Sequence, residues 1–189
     1  SRAGTYCARA ASSKRHPTDP ELHWHPDESS SAARGAARPG RDSADDPPHI
    51  AIAYDYDTAD GQLAYQVVRL EPKGFRQRRP DGRGGWVWNL KGVERVLYGL
   101  PDVLRARDCG DIIYIVEGEK DSDRVNAALE VATCNSGGAG KWRPEYTATL
   151  KGSALVRVVA DNDAPGYEHA RSMAQALGEA GRDFIEETL

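Results

Sequence analysis

Two kinds of hydrophobic pattern follow one another along the chain, and each predicts a different kind of sheet. Residues 50–56 and 63–70 are rich in β-branched, aliphatic and tyrosine side chains, and residues 58–61 between them read Thr-Ala-Asp-Gly. Two such runs joined by a glycine-containing turn predict a β-hairpin. Residues 75–79 and 86–90 flank another turn rich in Gly, Pro and Asp, and they predict a second hairpin.

The second half of the chain has unbroken apolar runs separated by helical patterns. Residues 112–116 and 154–160 are continuous hydrophobic stretches, which are typical of strands buried on both faces. Helical patterns follow them at 121–129 and 167–180. Strands that alternate with helices indicate a parallel sheet. The predicted fold class is therefore α/β, a Rossmann-like parallel sheet preceded by a small antiparallel β module.

The first 49 residues carry neither pattern. Leu22 is their only large aliphatic residue, and Ser, Ala, Arg, Pro and Asp predominate. Such a segment buries too little apolar surface to offset the entropy lost on ordering, so we predict a disordered tail over residues 1–49. The rest of the chain is divided into a basic β-rich module at residues 50–110 and an α/β domain at residues 111–189.

The distribution of charge changes what the composition suggests. The 189 residues carry a net charge of −4, which by itself disfavours nucleic-acid binding. Residues 71–100, however, hold seven basic and three acidic side chains, whereas residues 101–189 hold ten and sixteen. Cations interleaved with aromatic rings suit a single-stranded nucleic acid. The candidate nucleic-acid contacts in the basic block are Arg76, Arg78, Arg79, Trp86 and Trp88, with Phe75 among them.

Both long hydrophobic strands of the second half end in acidic residues. Glu117 follows the first strand, and Asp161 and Asp163 follow the second. Because the carboxyl ends of parallel strands share one edge of a sheet, we expect these three side chains to converge, with both aspartates pointing the same way from extended backbone. Clustered carboxylates repel one another unless a cation lies between them, and a hard divalent cation, Mg²⁺ or Mn²⁺, suits oxygen ligands. The alternative is that Asp121 and Asp163 merely cap the following helices.

Glycines are expected to shape the surroundings of this acidic site. Gly118 and Gly166 would let the backbone turn sharply beside it. The glycine-rich segment 137–140 follows a predicted strand and precedes Lys141 and Arg143, which we take as candidates for binding phosphate.

The two acidic segments together resemble a known domain. Residues 117–121 read Glu-Gly-x-x-Asp and residues 161–166 read Asp-x-Asp-x-x-Gly, each after a hydrophobic run. This combination is similar to the Toprim domain, which is shared by bacterial-type DNA primases, topoisomerases of types IA and II, and some nucleases and recombination proteins. The resemblance implies that Glu117 is the catalytic acid or base, and that the metal ligands are Glu117, Asp161, Asp163 and Asp121.

A weaker resemblance covers residues 50–110, which look similar to the segment before the Toprim domain in phage and mobile-element primase-like proteins. It implies magnesium-dependent nucleotidyl transfer in primer synthesis. The implied partners are a single-stranded DNA template, nucleoside triphosphates and a replicative helicase. Two alternatives stay open: a Toprim nuclease that cleaves phosphodiester bonds, and a non-catalytic DNA-binding remnant.

Two features depart from the pattern of such primases. These enzymes usually carry an N-terminal zinc ribbon, and residues 1–49 lack its Cys and His spacing. The Toprim sheet usually continues with another strand after the helix that ends near Gly181. Only four residues follow Phe184 and Ile185, so we expect the domain to be truncated at its C-terminal end.

The cysteines and the lengths of the apolar runs bear on where in the cell the protein is expected. The cysteines, Cys7, Cys109 and Cys134, are far apart and odd in number, which fits reduced thiols. No apolar run approaches the length of a transmembrane helix, so we expect a cytoplasmic protein without a membrane partner. His169, in the last predicted helix, is expected to be a surface residue.

Overall fold

The computed structural model describes residues 48–72, 74–128, 130–138, 140–179 and 184–188. Nearly all of the predicted disordered tail lies outside these ranges. None of the helices in the described ranges is long and apolar enough to cross a bilayer.

The first half of the described chain forms a four-stranded antiparallel sheet, as the alternating pattern predicts. Its strands run in the order β1 (His49–Asp57), β2 (Leu63–Glu71), β3 (Gly74–Pro80) and β4 (Trp86–Val87). The predicted hairpin between β1 and β2 is confirmed, with Gly61 in the left-handed region at φ 79° in its turn. Pairing of β2 with β3 joins the two predicted hairpins into one sheet. β4 is shorter than predicted, because only Trp86 and Val87 pair with β3.

The second half forms the predicted parallel sheet, in the strand order β6-β5-β7-β8. Every pairing within it is parallel, and β5 and β7, the two long hydrophobic strands, lie side by side. Helices alternate with the strands as expected. The elements after β4 are α1 (Leu100–Cys109), β5 (Ile112–Ile115), α2 (Glu119–Ala127), β6 (Val131–Thr133), α3 (Pro144–Thr149), β7 (Leu155–Ala160), α4 (Ala164–Glu179) and β8 (Phe184–Thr188).

The expectation that the sheet lacks its last strand is wrong. β8 lies beside β7 in parallel register, with Phe184 opposite Val156 and Thr188 opposite Ala160. Five residues are enough for a strand of ordinary length. The short segment after the last helix therefore supplies the strand that the sequence analysis expected to be missing.

The two sheets pack against each other through a shared core. Tyr54, Tyr56 and Tyr65 from the antiparallel sheet share one buried cluster with Val116 and Val159, which lie at or near the ends of the hydrophobic runs of the parallel sheet. A separate core lies between the parallel sheet and its helices. This packing brings one side of the antiparallel sheet to the edge where β5 and β7 end.

The cysteine prediction fails at one position. Cys134 is a free thiol buried in the core between the sheets. Cys109, in contrast, is disulfide-bonded.

Candidate functional site

A cleft of about 750 Å³ separates the β3 side of the antiparallel sheet from the carboxyl ends of β5 and β7. Its volume falls in the range of small-molecule and cofactor sites. Phe75, Arg76 and Trp88 line one side. The other side carries four carboxylates, those of Glu117, Glu119, Asp121 and Asp161.

Glu117 and Asp161 are brought together by the topology of the parallel sheet. Glu117 comes two residues after the end of β5, and Asp161 follows β7 directly. Since β5 and β7 are neighbours in parallel register, their carboxyl ends lie side by side. The Asp161 carboxylate lies near enough to the Glu117 side chain to raise its pKa.

This arrangement perturbs the acidity of Glu117. Partial burial, followed by the neighbouring Asp161 carboxylate and by the charges of Asp163 and Asp121, raises the pKa of Glu117 to about 7. Each of these neighbouring charges is negative and opposes ionisation. Near neutral pH, Glu117 is therefore poised between its two protonation states. A carboxyl in a cleft with a pKa of this kind marks a candidate functional site.

The backbone after Asp161 is not extended, although the predicted common direction of Asp161 and Asp163 assumes that it is. The segment after β7 turns immediately, and the Asp163 N–H donates to the Asp161 carbonyl oxygen at 2.7 Å. Oδ1 of Asp163 accepts from the Gly166 N–H at 2.7 Å, which makes Asp163 the N-terminal cap of α4. Its side chain is exposed and does not line the cleft. The capping alternative is thus the one that the structure favours for Asp163.

For Asp121, in contrast, the structure does not favour the capping alternative. It lies in the first turn of α2 and lines the cleft, where its Oδ1 accepts from Nη1 of Arg124 at 3.3 Å. The α2 N-terminus is capped by no side chain, so Asp121 is not a helix cap.

The residues present fit a magnesium ion held by two carboxylates. No cluster of three or more Asp, Glu, His or Cys side chains in the described ranges is close enough to hold a metal ion. Mg²⁺ commonly takes only one or two carboxylates and completes its shell with water and substrate phosphate. Glu117 and Asp161 provide such a pair, and a cation between them would offset the repulsion between their charges.

The two glycines beside the site have different roles. A Cβ on Gly166 would lie 2.7 Å from the Asp161 carbonyl oxygen and 3.1 Å from the Asp161 Cβ. Gly166 is therefore required for close approach, since any larger residue would push against Asp161. Gly118 is extended, with φ −145°, and a Cβ there would meet nothing within 4 Å. The expectation that Gly118 is needed for a sharp turn is wrong.

On the opposite side of the cleft, arginines stack on tryptophans. The Arg76 guanidinium lies 4.9 Å from the centre of the Trp88 ring, and that of Arg78 lies 3.9 Å from the centre of Trp86. Arg78 is only 5% exposed and donates from Nε to Oε1 of Gln66 at 2.7 Å. Burial removes Arg78 from the reach of a phosphate, so its place is structural, whereas Arg76 is exposed and lines the cleft.

The other predicted basic contacts lie outside the cleft lining. Arg79 is half-buried on β3, and Lys141 and Arg143 are exposed. Trp86 is half-buried beneath Arg78, while Trp88 is 39% exposed. Of the predicted nucleic-acid contacts, the structure therefore brings Phe75, Arg76 and Trp88 to the cleft.

The glycine-rich loop reaches the cleft with its backbone. Gly137 and Gly138 line the cleft, and Nδ2 of Asn135 donates to the Gly138 carbonyl oxygen at 2.9 Å. His169 is buried, contrary to the prediction, and its Nδ1 accepts from the Gly140 N–H at 3.1 Å. Burial lowers the pKa of His169, which keeps the ring neutral and able to accept this bond.

Several cleft residues were missed by sequence reasoning. Glu119 accepts from the Tyr56 hydroxyl at 2.7 Å, so this acid links α2 to the antiparallel sheet. Gln77 lies on the same face of β3 as Phe75, two residues along, and both line the cleft. The period-two spacing of Phe75 and Gln77 was a signal that could have identified this pair.

Comparison with known proteins finds a relative encoded by a phage. No family model matches it. Over 128 residues it is 31% identical to the Gene 57 protein of Mycobacterium phage D29, an alignment that covers 64% of this chain and 80% of that protein. The chain belongs to the family of this phage protein.

Solved structures with the same architecture are fragments of DNA primases. The Aquifex aeolicus primase, with its zinc-binding and RNA polymerase domains, matches 73% of this chain with a TM-score of 0.57 and 18% identity. The primase fragment of the bacteriophage T7 primase-helicase protein matches 71% of it, and the catalytic core of the Escherichia coli primase 73%, each with a TM-score of 0.53 and 18% identity. The chain spans 34%, 51% and 44% of these structures, respectively. This chain thus has a primase-like fold.

Proposed function

We propose that this chain is a primase-like nucleotidyltransferase that acts on single-stranded DNA with the help of Mg²⁺ or Mn²⁺. The observation that carries the proposal is the pair Glu117 and Asp161 at the ends of neighbouring parallel strands, facing a cleft with a basic, aromatic far side. The primase-like fold supports it, and so does the similarity of the two acidic segments to the Toprim domain.

Each part of the cleft has a task in this proposal. Glu117 and Asp161 would hold the ion, which when bound would neutralise triphosphate charge and activate a 3′-hydroxyl. Glu117, with a pKa near neutrality, is suited to accept the proton of an attacking hydroxyl. Arg76 and the backbone of Gly137 and Gly138 would orient phosphate groups. Asp163 supports the site indirectly, as the cap that fixes the start of α4.

The proposed partners follow from this reaction. They are a single-stranded template, nucleoside triphosphates and, by the same resemblance, a replicative helicase. Lys141 and Arg143 are exposed beside the glycine-rich loop, where they are available to a longer nucleic acid that extends beyond the cleft.

Primer synthesis tests the proposal directly. The protein is incubated with labelled single-stranded DNA, nucleoside triphosphates and Mg²⁺, and the product length is measured. We expect Glu117→Gln and Asp161→Asn to lower the rate at least 100-fold, because the ion and proton acceptor act at the reacting atoms. Glu130→Gln, an exposed acid outside the cleft lining, is the matched control and should leave the rate unchanged.

Other outcomes separate the alternative functions. Shorter instead of longer DNA would identify a nuclease that uses the same acids. DNA binding that survives EDTA, with no turnover, would identify a non-catalytic remnant. Undiminished synthesis by Glu117→Gln would show that the assignment of the site is wrong.

A further inference from the structure

One edge of the antiparallel sheet is open to the cleft. β3 pairs with β2 along residues 74–78 but with β4 only at Arg79 and Pro80. The edge between Phe75 and Arg78 is therefore not covered by β4. Because successive side chains point to opposite faces, the cleft reaches around this edge and contacts both Phe75 and Arg76.

Phe75 is the most exposed large hydrophobic residue in the described ranges. Its side chain is 61% exposed, compared with 39% for Trp88 and 38% for Ile52. A phenylalanine on a strand that faces a cleft offers a flat apolar surface. Base stacking on such a ring occurs in single-strand-binding proteins and tolerates any base.

Gln77 provides hydrogen-bonding groups next to that ring. It is on the same face of β3, about 7 Å further along the strand, since the rise is about 3.4 Å per residue. Its side-chain amide makes no hydrogen bond to any residue that the structure describes. A base stacked on Phe75 would extend its edge towards this amide. A glutamine amide matches the donor and acceptor pair of adenine, N6 and N7.

Arg76 completes the group with a positive charge. Its guanidinium lies 4.9 Å from the centre of the Trp88 ring, which limits its orientation but leaves its N–H groups free to face the cleft. It forms no ion pair with the carboxylates of the described residues. A stacking ring, an amide and an unpaired cation thus occur on three successive residues.

We propose that Phe75, Arg76 and Gln77 form a nucleobase subsite that prefers adenine. The base stacks on Phe75, the Gln77 amide pairs with N6 and N7, and Arg76 binds the adjoining phosphate. The subsite rests on the proposed function, because it assigns one part of the same cleft. It goes beyond that function by naming the base and the residues that select it.

Oligonucleotide binding without turnover tests the subsite. Binding of dA8 and dT8 is measured by fluorescence anisotropy with Mg²⁺ and without nucleoside triphosphates, and ATP and UTP are titrated separately. Binding that selects dA8 assigns the subsite to a nucleic-acid strand, and binding that selects ATP assigns it to a free nucleotide. Equal affinity for dA8 and dT8, together with equal affinity for ATP and UTP, would overturn the adenine preference.

Three variants test the separate roles of Phe75 and Gln77. Phe75→Ala should weaken binding of both oligonucleotides about tenfold, in the range seen for loss of one stacked base. Phe75→Trp should restore binding. Gln77→Leu should lower the affinity for dA8 about tenfold and leave dT8 unchanged. Ile52→Ala is the control, since Ile52 is exposed on the same sheet but does not line the cleft.

The results distinguish a failure of the subsite from a failure of the proposed function. If Phe75→Ala binds within twofold of the parent while the parent makes primers, the subsite is wrong and the proposed function stands. If Phe75→Ala weakens binding but the parent makes no product, the subsite stands and the proposed function fails. An equal loss for Ile52→Ala, or no recovery with Phe75→Trp, would indicate general damage to the sheet and overturn the subsite.

Discussion

Gly166 is the residue whose replacement most directly tests how the acidic site is built. An alanine Cβ at this position would lie 2.7 Å from the Asp161 carbonyl oxygen, 3.0 Å from Oδ1 of Asp163 and 3.1 Å from the Asp161 Cβ. The first of these contacts is with backbone, which has no rotamer by which to move away. Gly166→Ala must therefore displace Asp161, the start of α4, or both.

Two opposing effects set the change in stability. Overpacking typically destabilises a protein by about 1–3 kcal/mol. Alanine stabilises a helix over glycine by up to about 1 kcal/mol. We expect Gly166→Ala to lower the free energy of unfolding by roughly 0–2 kcal/mol, the difference between these terms. The protein should therefore remain folded, which allows the effect on the site to be measured.

The effect on the site should be larger than the effect on stability. A shift of Asp161 by several tenths of an ångström separates it from Glu117 and from a cation held between them. We expect Mg²⁺ affinity to fall about tenfold and primer synthesis about 10- to 100-fold, since ångström-scale misplacement costs about 100-fold in rate. Isothermal titration with Mg²⁺ measures the first quantity, and product formation at saturating template measures the second.

Gly118→Ala is the matched control on the other side of the acid pair. It adds the same methyl group, but at an extended residue with nothing within 4 Å. Its stability and its Mg²⁺ affinity should both stay close to those of the parent. Parent-like Mg²⁺ affinity and synthesis in Gly166→Ala would refute the reasoning, and so would equal losses in the two variants.

Two further predictions follow from the cleft. Because the pKa of Glu117 is raised to about 7, protons should compete with Mg²⁺ below that pH. The Mg²⁺ affinity measured by titration should fall up to about tenfold per pH unit below 7 and level off above 8. A flat profile of Mg²⁺ affinity from pH 6 to 8 would contradict this. Arg78→Met should lower the free energy of unfolding by about 2–4 kcal/mol because it removes the buried partner of the Gln66 side-chain oxygen. Arg76→Met should change that free energy by under about 0.5 kcal/mol. Equal unfolding midpoints of the two variants in urea would count against the burial argument.

Much of the fold could be predicted because its signals are local. The β1–β2 hairpin follows from two strand-like runs and a turn, and the parallel sheet from unbroken apolar runs at β5 and β7. The pairing of β2 with β3 could not be read from either hairpin, because the pattern assigned the two strands to separate hairpins. β8 was missed because it pairs with β7, which lies before α4 in the sequence, so no local pattern shows the pairing.

The site was harder to predict than the fold. Sheet topology was sufficient to bring Glu117 and Asp161 together, since both are fixed to strand ends. The position of Asp163 depended on where α4 begins, and its side chain caps that helix and does not line the cleft. Arg76 and Arg78 share a face by periodicity, yet periodicity does not show that Trp86 covers one of them.

The charge of the cleft is opposite to what the basic sequence block suggests. Residues 71–100 hold seven basic side chains, but of the six that the structure describes only Arg76 lines the cleft, and Arg78 is buried. Four carboxylates line it as well. A nucleic acid that enters this cleft therefore meets net negative charge, and its phosphates would be repelled from the acid pair. In the proposed function, a divalent cation at Glu117 and Asp161 is accordingly required for binding of the substrate and for the reaction alike.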